Sequence, residues 1–341
     1  MSITDGNRFL VPCSLIPSFP DFLLPRFPSL QSPHQMEYNG RSYLWEVSLL
    51  SPTAPSLALL AVYGHPDDES FGTGGTLALY ARQGVRVALA CATRGEAGEI
   101  SDPALATPEH LGEARERELR CACAHLGVHD LYFLGYRDSG MAGTPDNQHP
   151  QAFAHADLHE ATGKIVRLVR MLRPQVLITF DPQGAYGHPD HIKANRITVA
   201  AFAAAGDAAQ YPEHLAEGLS PFAPSKLYFM GLPRRFFRAI AEEIRAAGID
   251  VARFGHRNLE DLENVGLPDE LVTTEIDVAC CWQAKYQAIQ CHQTQLPSDS
   301  PFRLIPLERM ERALSTEYFI LAETRLPRPT GIETDLFAGL R

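Results

Sequence analysis

Short apolar runs alternate with longer amphipathic segments through the middle of the chain, and this alternation constrains the fold more than any other feature. Several of the amphipathic segments end at a helix stop, namely Gly84, Gly127 or Pro174. Strands that alternate with helices imply right-handed crossovers and a parallel sheet covered by helices. The sequence therefore predicts an α/β fold with a Rossmann-like, mostly parallel sheet. The strand-like runs are SLALLAVYG (56–64), VRVALACAT (85–93), DLYFLG (130–135), QVLITFDP (175–182) and KLYFMG (226–231).

The pattern divides the chain into three parts. We predict an N-terminal extension over 1–55, a core domain over 56–247, and a C-terminal cap segment over 248–341 that completes the substrate pocket. Prolines interrupt the apolar opening stretch every few residues, so it is interpreted as a tail and not as a signal peptide, with Met36 as an alternative start. No apolar run approaches the roughly 20 residues needed to span a bilayer.

Charge and cysteine content narrow the class of partner. The formal net charge of -11 argues against a nucleic-acid or anionic-membrane surface, which needs clustered Lys and Arg. The expected partner is a small molecule. The seven cysteines are an odd set without a C-x-x-C pair, so the sequence indicates neither a disulfide framework nor a thiolate zinc site, and a cytoplasmic location is expected.

Two polar segments follow two of the predicted strands. GHPDDE occupies 64–69 after the first strand, and GAYGHPDH occupies 184–191 after the fourth. In the strand order 3-2-1-4-5 the first and fourth strands are neighbours, and ligands bind at the carboxyl ends of strands where the order reverses. We therefore expect the two segments to meet in one crevice.

The residue types in these segments suit a catalytic metal. Two imidazoles and one carboxylate, from His65, Asp68 and His191, form a typical zinc shell that leaves a position for water. Adjacent side chains in a turn diverge, so Asp67 points away from the ion and can take a proton from the activated water. Zn²⁺ is the expected ion and Fe²⁺ the alternative.

Three further residues of the second segment are expected at the same crevice. His188 is predicted to protonate the leaving group or to stabilise an oxyanion, and Asp190 to orient that imidazole. Tyr186 is a candidate oxyanion donor.

With these motifs the sequence resembles the LmbE-like deacetylase family, which includes the N-acetylglucosaminyl-phosphatidylinositol de-N-acetylases and the sugar deacetylases of mycothiol and bacillithiol biosynthesis. The similarity covers roughly 56–325 and depends on the order of several motifs. They are HPDDE (65–69), TRGEAGE (93–99), R-x-x-E (115–118), RDSGM (137–141), GHPDH (187–191) and HQTQ (292–295).

The resemblance implies the same zinc ligands and the same base, and it adds substrate contacts. Arg115 and Asp138 correspond to residues that contact substrate hydroxyls, and Tyr186 to one that assists at the carbonyl. Met141 is expected in the same pocket. Glu96 is expected either there or in a structural role within its loop.

The predicted function is zinc-dependent hydrolysis of a linear amide, namely de-N-acetylation of an N-acetylglucosamine-type glycoside, an N-acetyl amino sugar. One alternative is an amidase acting on a thiol conjugate or another N-acyl compound. The others are a non-haem iron oxygenase, because two histidines and a carboxylate also form its facial triad, and a non-catalytic protein that binds metal or glycans. Family members often form dimers, trimers or hexamers, so a homo-oligomer is among the expected assemblies.

Overall fold

The computed structural model describes residues 57–249 and 265–341, together with two short strands, β1 (Glu37–Tyr38) and β2 (Arg41–Ser42). These two strands pair antiparallel inside a compact unit that spans Met1–Pro55, and a second unit spans Ser56–Arg341. The opening tail and the alternative start at Met36 lie outside the described residues. The division into three domains stays a prediction.

A seven-stranded sheet forms the centre of the second unit. Its order is β5-β4-β3-β6-β7-β9-β8, with the first five parallel and β9 antiparallel to both of its neighbours. The predicted mostly parallel sheet and the pairing of the first core strand with the fourth are thus confirmed. The strands are β3 (Ala58–Tyr63), β4 (Arg86–Cys91), β5 (Asp130–Phe133), β6 (Val176–Thr179), β7 (Lys226–Gly231), β8 (Thr274–Asp277) and β9 (Thr316–Thr324).

Helices lie between most of the successive strands of the sheet. The longer ones are α1 (Asp68–Arg82), α2 (Leu111–Leu126), α3 (Leu158–Leu172), α5 (Pro189–Ala204), α7 (Arg234–Ala246), α8 (Trp282–Cys291) and α10 (Leu307–Leu314). The short ones are α4 (Gly184–Gly187), α6 (Pro212–Ala216) and α9 (Pro301–Leu304). None of the helices in the described part of the chain is long and apolar enough to cross a membrane.

The core is densest around the central strands. Every residue of β3 and β6 is buried, as expected for parallel strands covered on both faces. Helices α1, α2 and α8 contact one another, and α3 contacts α5. The rigid centre of the sheet thereby fixes the start of the helix that follows each of these two strands, α1 after β3 and α5 after β6.

The segment predicted as a C-terminal cap contributes to this sheet. Within 265–341, β8 and β9 extend the sheet beyond β7, and α8 packs on α1 and α2. Burial alternates along β9, which is typical of an antiparallel strand covered on one face. The sequence of β9 lies far from the alternating strands and helices of the core, so it did not indicate that this strand joins the same sheet.

One disulfide differs from the expectation drawn from cysteine spacing. Cys121 of α2 is bonded to Cys291 of α8, with 5.9 Å between the Cα atoms and 170 residues between them in sequence. The sequence showed no disulfide framework, and a single bond over such a separation has no spacing signal. The contact between α2 and α8 brings the two thiols together.

Candidate active site

Two loops meet at the carboxyl ends of neighbouring strands. β3 ends at Tyr63 and α1 begins at Asp68, whereas β6 ends at Thr179 and α5 begins at Pro189. Because β3 and β6 pair in parallel, the GHPDDE and GHPDH segments lie side by side, as the sequence predicted.

Three donor atoms converge at this junction. His65 Nδ1 lies 3.1 Å from His191 Nε2, and Asp68 Oδ1 lies 3.2 Å from the same nitrogen. His65 Nδ1 and Asp68 Oδ2 are 3.7 Å apart. Two imidazole nitrogens and a carboxylate that face one another at these distances, in a site that is almost entirely buried, fit a single divalent cation. The predicted ligand set is therefore brought together.

The second ring nitrogen of His65 contacts two carboxylates. Its Nε2 lies 3.1 Å from Asp190 Oδ2 and 3.4 Å from Asp138 Oδ1. A metal-binding histidine commonly donates its second ring N–H to a carboxylate, which fixes its tautomer and orientation. His65 could therefore present Nδ1 to a cation while Asp190 and Asp138 hold Nε2.

The position of Asp190 differs from the prediction that it orients His188. The Asp190 carboxylate accepts hydrogen bonds from the Ser139 N–H at 3.0 Å and from the Ser139 hydroxyl, besides its contact with His65. His188 instead is the N-cap of α5, and its Nδ1 accepts the main-chain N–H of Asp190 at 3.2 Å. The side chain at an N-cap accepts from the first helical turn, so the Nδ1 atom of His188 is engaged by the helix start and not by the Asp190 carboxylate.

That capping bond also sets the tautomer of His188. Nδ1 accepts, so the proton of the neutral ring sits on Nε2. Burial, together with the neighbouring His65 and His191 rings, lowers the pKa of His188 to about 4. The neutral ring can therefore donate a hydrogen bond from Nε2 to a group bound in the crevice. His188 also lies near His65 and His191, and the three rings form a second grouping that could hold a metal.

Asp67 is the N-cap of α1, and its carboxylate is held by a buried arginine. Asp67 Oδ2 lies 3.2 Å from an amino group of Arg115, which also donates to the carbonyl of Pro66 at 2.6 Å. Burial raises the pKa of Asp67 to about 6, and the charge of Asp68 adds to the rise whereas Arg115 opposes it. For Asp68, burial also favours the neutral form, but His191 and His65 together outweigh it and lower the pKa to about 2. The two neighbouring carboxyls thus differ in their affinity for a proton.

His65 also lines a cavity of about 360 Å³, whereas Asp68 and His191 are not among its lining residues. Seven predicted residues line it, namely His65, Asp67, Arg115, Asp138, Met141, Tyr186 and His188. Tyr186 and Met141 are exposed, at 68% and 44%. Four polar residues that the sequence analysis did not single out also line the wall, Glu99, Thr144, Asp146 and Gln295. Gln295 belongs to the HQTQ motif, which could have indicated it.

Glu96 lies outside this cavity. Its carboxylate accepts the main-chain N–H of Asp138 at 3.3 Å, and its side chain faces a separate surface cavity with Tyr136 and Arg137. Of its two expected placements, the geometry corresponds to the structural role within the loop.

Comparisons with known proteins agree with this fold and site. The family model described as PIG-L, GlcNAc-PI de-N-acetylase, matches residues 60–202. The chain is 44% identical over 295 residues to 1D-myo-inositol 2-acetamido-2-deoxy-alpha-D-glucopyranoside deacetylase from Acidothermus cellulolyticus, which covers 83% of this chain and 95% of the relative.

Solved structures share the fold at low identity. N,N'-diacetylchitobiose deacetylase from Pyrococcus horikoshii matches with a TM-score of 0.54 and 21% identity, covering 77% of this chain and 82% of that one. GalB, the 4-carboxy-2-hydroxymuconate hydratase from Pseudomonas putida KT2440, matches with a TM-score of 0.52 and 20% identity, covering 81% and 100%. A hydratase and a deacetylase on one fold show that the fold does not determine the reaction. The identity to the Acidothermus relative over nearly its whole length does determine the family, and the chain belongs to the PIG-L family of GlcNAc-PI de-N-acetylases.

Proposed function

We propose that this protein is a zinc-dependent deacetylase that removes the acetyl group from an N-acetylglucosamine-type glycoside. The observation that carries the proposal is the convergence of His65, Asp68 and His191 beside a fourth group, Asp67, that lines the adjoining cavity together with His65. A non-haem iron oxygenase has no need of that additional carboxylate, and a protein that only binds metal or glycans has no need of a base.

The site offers two imidazoles and one carboxylate, which suit a divalent cation. His65, Asp68 and His191 would hold Zn²⁺, with Fe²⁺ as the alternative. Zinc held in this way supplies Lewis acidity, which lowers the pKa of water and polarises a carbonyl.

Asp67 acts as the general base. It takes a proton from the attacking water. An amino group of Arg115 lies 3.2 Å from Asp67 Oδ2 and keeps the carboxylate directed into the cavity. A carboxyl whose pKa is near 6 is ionised at neutral pH and still basic enough to accept a proton during attack. Protonated Asp67 then returns the proton to the departing amine.

His188 and Tyr186 act on the carbonyl oxygen. The neutral His188 ring presents an N–H from Nε2, which stabilises the negative charge that develops on the oxygen during attack. Tyr186 lies at the mouth of the same cavity, and its hydroxyl is a second donor when the sugar is bound. The low pKa of His188 makes a hydrogen-bond donor the better role for it than a cationic acid.

The polar wall of the cavity suits an uncharged sugar. Asp67, Glu99 and Asp138 face it, and Arg115 is the one cation among its lining residues. Because Arg115 already contacts Asp67, and the charge of a bound zinc ion would act at the acetyl group, the side chains of the wall offer little positive charge to an anionic aglycone. The inositol glycoside for which the Acidothermus relative is named is uncharged, and we propose that class of substrate. Arg115, Asp138 and Met141 are its proposed contacts.

Mass spectrometry of reaction products tests the function. The protein, loaded with Zn²⁺, is incubated with N-acetylglucosaminyl inositol, N-acetylglucosaminyl malate and N-acyl cysteine conjugates. We expect a free amine and acetate from the inositol glycoside, less product from the anionic malate glycoside, and loss of product after chelation. Turnover confined to the cysteine conjugates would support the amidase alternative, and no amine release from any compound would contradict the proposal.

A cytoplasmic location is proposed as well, although the Cys121–Cys291 disulfide is of a kind that is rare in reducing compartments, and so is a homo-oligomer. Cell fractionation and light scattering on the purified protein test them.

A further inference from the structure

The backbone of Asp67 adopts an uncommon conformation. Its φ is 117° and its ψ is -31°, directly before α1. Residues other than glycine rarely adopt positive φ, and such a conformation persists only where surrounding contacts determine it. The side chain of Asp67 makes no capping hydrogen bond to α1, so it is free to point into the cavity.

Glu69 supplies the contact that fixes this backbone. Its Oε2 accepts the main-chain N–H of Asp67 at 3.0 Å, so a side chain of the first helical turn reaches back to the N-cap, as in a capping box. Glu69 is 1% exposed and is absent from the cavity wall, so it cannot contact substrate.

A histidine from the far end of the chain holds Glu69 in turn. His292 Nε2 lies 2.8 Å from Glu69 Oε1, and the ring is completely buried. The Ser70 hydroxyl contacts both partners. A buried carboxylate needs such a partner, because an unpaired one is costly to desolvate.

The segment that carries His292 is anchored to the helix that carries Arg115. The main-chain N–H and the hydroxyl of Thr294 each donate to the Glu118 carboxylate of α2 at 2.7 Å. Three residues of HQTQ therefore have three different contacts. His292 contacts Glu69, Thr294 donates to Glu118 of α2, and Gln295 lines the cavity.

We propose that Glu69 and His292 are positioning residues for the general base. The buried pair holds the main-chain N–H of Asp67 and thereby keeps the N-cap conformation that directs the Asp67 carboxylate into the cavity. This inference rests on the proposed role of Asp67, and it gives the HQTQ motif a function that the metal site and the cavity do not require.

Kinetics of His292→Ala in the zinc-loaded full chain test the proposal. We expect kcat to fall about 10- to 100-fold, with KM and zinc content unchanged, the size seen when an outer hydrogen-bond partner of a site is removed. His292→Gln should restore most of kcat, because the glutamine Nε2 can donate to Glu69 in place of the ring. Glu69→Met is the second variant if His292→Ala does not fold, because it has no oxygen to accept the main-chain N–H of Asp67, and a fall in kcat at constant zinc content is expected there too.

A double variant separates positioning from a general structural effect. In the Asp67→Asn background, His292→Ala should cause no further loss, because there is no base left to position. Losses that multiply, or a loss of zinc from His292→Ala, would overturn the inference. His214→Gln, at a buried histidine within α6, is the matched control and should keep wild-type activity.

Failure of the inference and failure of the proposed function give different results. If Asp67→Asn abolishes turnover while His292→Ala is as active as the wild type, the positioning role is wrong and the base assignment stands. If Asp67→Asn keeps wild-type kcat, the base assignment is wrong and the inference falls with it.

Discussion

Asp68 Oδ1 lies 3.2 Å from His191 Nε2, and this contact joins the first residue of α1 to the first turn of α5. The two residues are more than a hundred positions apart in sequence, and the parallel pairing of β3 with β6 brings them together. Asp67, one residue earlier, turns instead toward Arg115 at 3.2 Å. The helix start therefore separates two adjacent carboxylates into two environments.

Removing a zinc ligand should abolish metal binding, whereas removing the general base should lower only the rate. His191→Ala should lose bound zinc and with it activity, because one of three converging donors is gone. Asp67→Asn should keep zinc but lower kcat by roughly 10²- to 10⁴-fold, the range of a general base. Metal content measured by mass spectrometry, beside steady-state kinetics, checks both. An Asp67→Asn protein without zinc would show that the two aspartates have been assigned the wrong way round.

Activity should fall toward acid as Asp67 becomes protonated. Burial raises the pKa of its carboxyl to about 6, and the base works only when ionised, so kcat/KM is full above this pKa and lost as pH falls through it. A bound dication opposes this rise and lowers the pKa, which places the midpoint of the acidic limb at or below about pH 6. A pH profile of kcat/KM between about pH 4 and 8 checks this, and an acidic limb centred well above pH 6 contradicts it.

Asp190 should act on metal affinity through His65. Its carboxylate lies 3.1 Å from His65 Nε2, and removal of such a partner typically costs 10- to 100-fold in metal affinity or activity. Asp190→Asn should therefore release zinc at a lower chelator concentration than the wild type does. His188→Ala is the matched comparison, and it should lower kcat with zinc affinity unchanged. If Asp190→Asn lowers kcat alone, the carboxylate acts through His188, as the sequence had suggested.

The sequence allowed the parallel sheet and the convergence of His65, Asp68 and His191 to be predicted, because both depend on local patterns. Apolar runs ending at HPDDE and GHPDH mark strand ends, and strand order then makes the ends neighbours. The direction in which a side chain points depends instead on contacts with residues that are distant in sequence. Asp190 faces His65 because Ser139, from a distant loop, holds its other oxygen.

The contribution of the C-terminal segment was harder to predict for the same reason. The buried contact of His292 with Glu69 spans 223 residues, and β9 pairs with β7 although about 85 residues separate the two strands in sequence. No regular spacing of residues in the sequence indicates either contact. The HQTQ motif was visible in the sequence, but its role depends on a fold that the sequence pattern did not specify beyond residue 247.

The Cys121–Cys291 bond should stabilise the fold by closing a long loop. A bond that spans 170 residues restricts the unfolded chain strongly, and removal of a disulfide generally costs about 2–4 kcal/mol of the free energy of unfolding. Cys121→Ser should show a loss of this size in urea denaturation when compared with the oxidised wild type. Cys280→Ser, at an exposed free cysteine, is the control and should unfold at the wild-type urea concentration. A reductant should destabilise the wild type and leave Cys121→Ser unchanged, and equal stability of the oxidised wild type and Cys121→Ser would contradict the prediction.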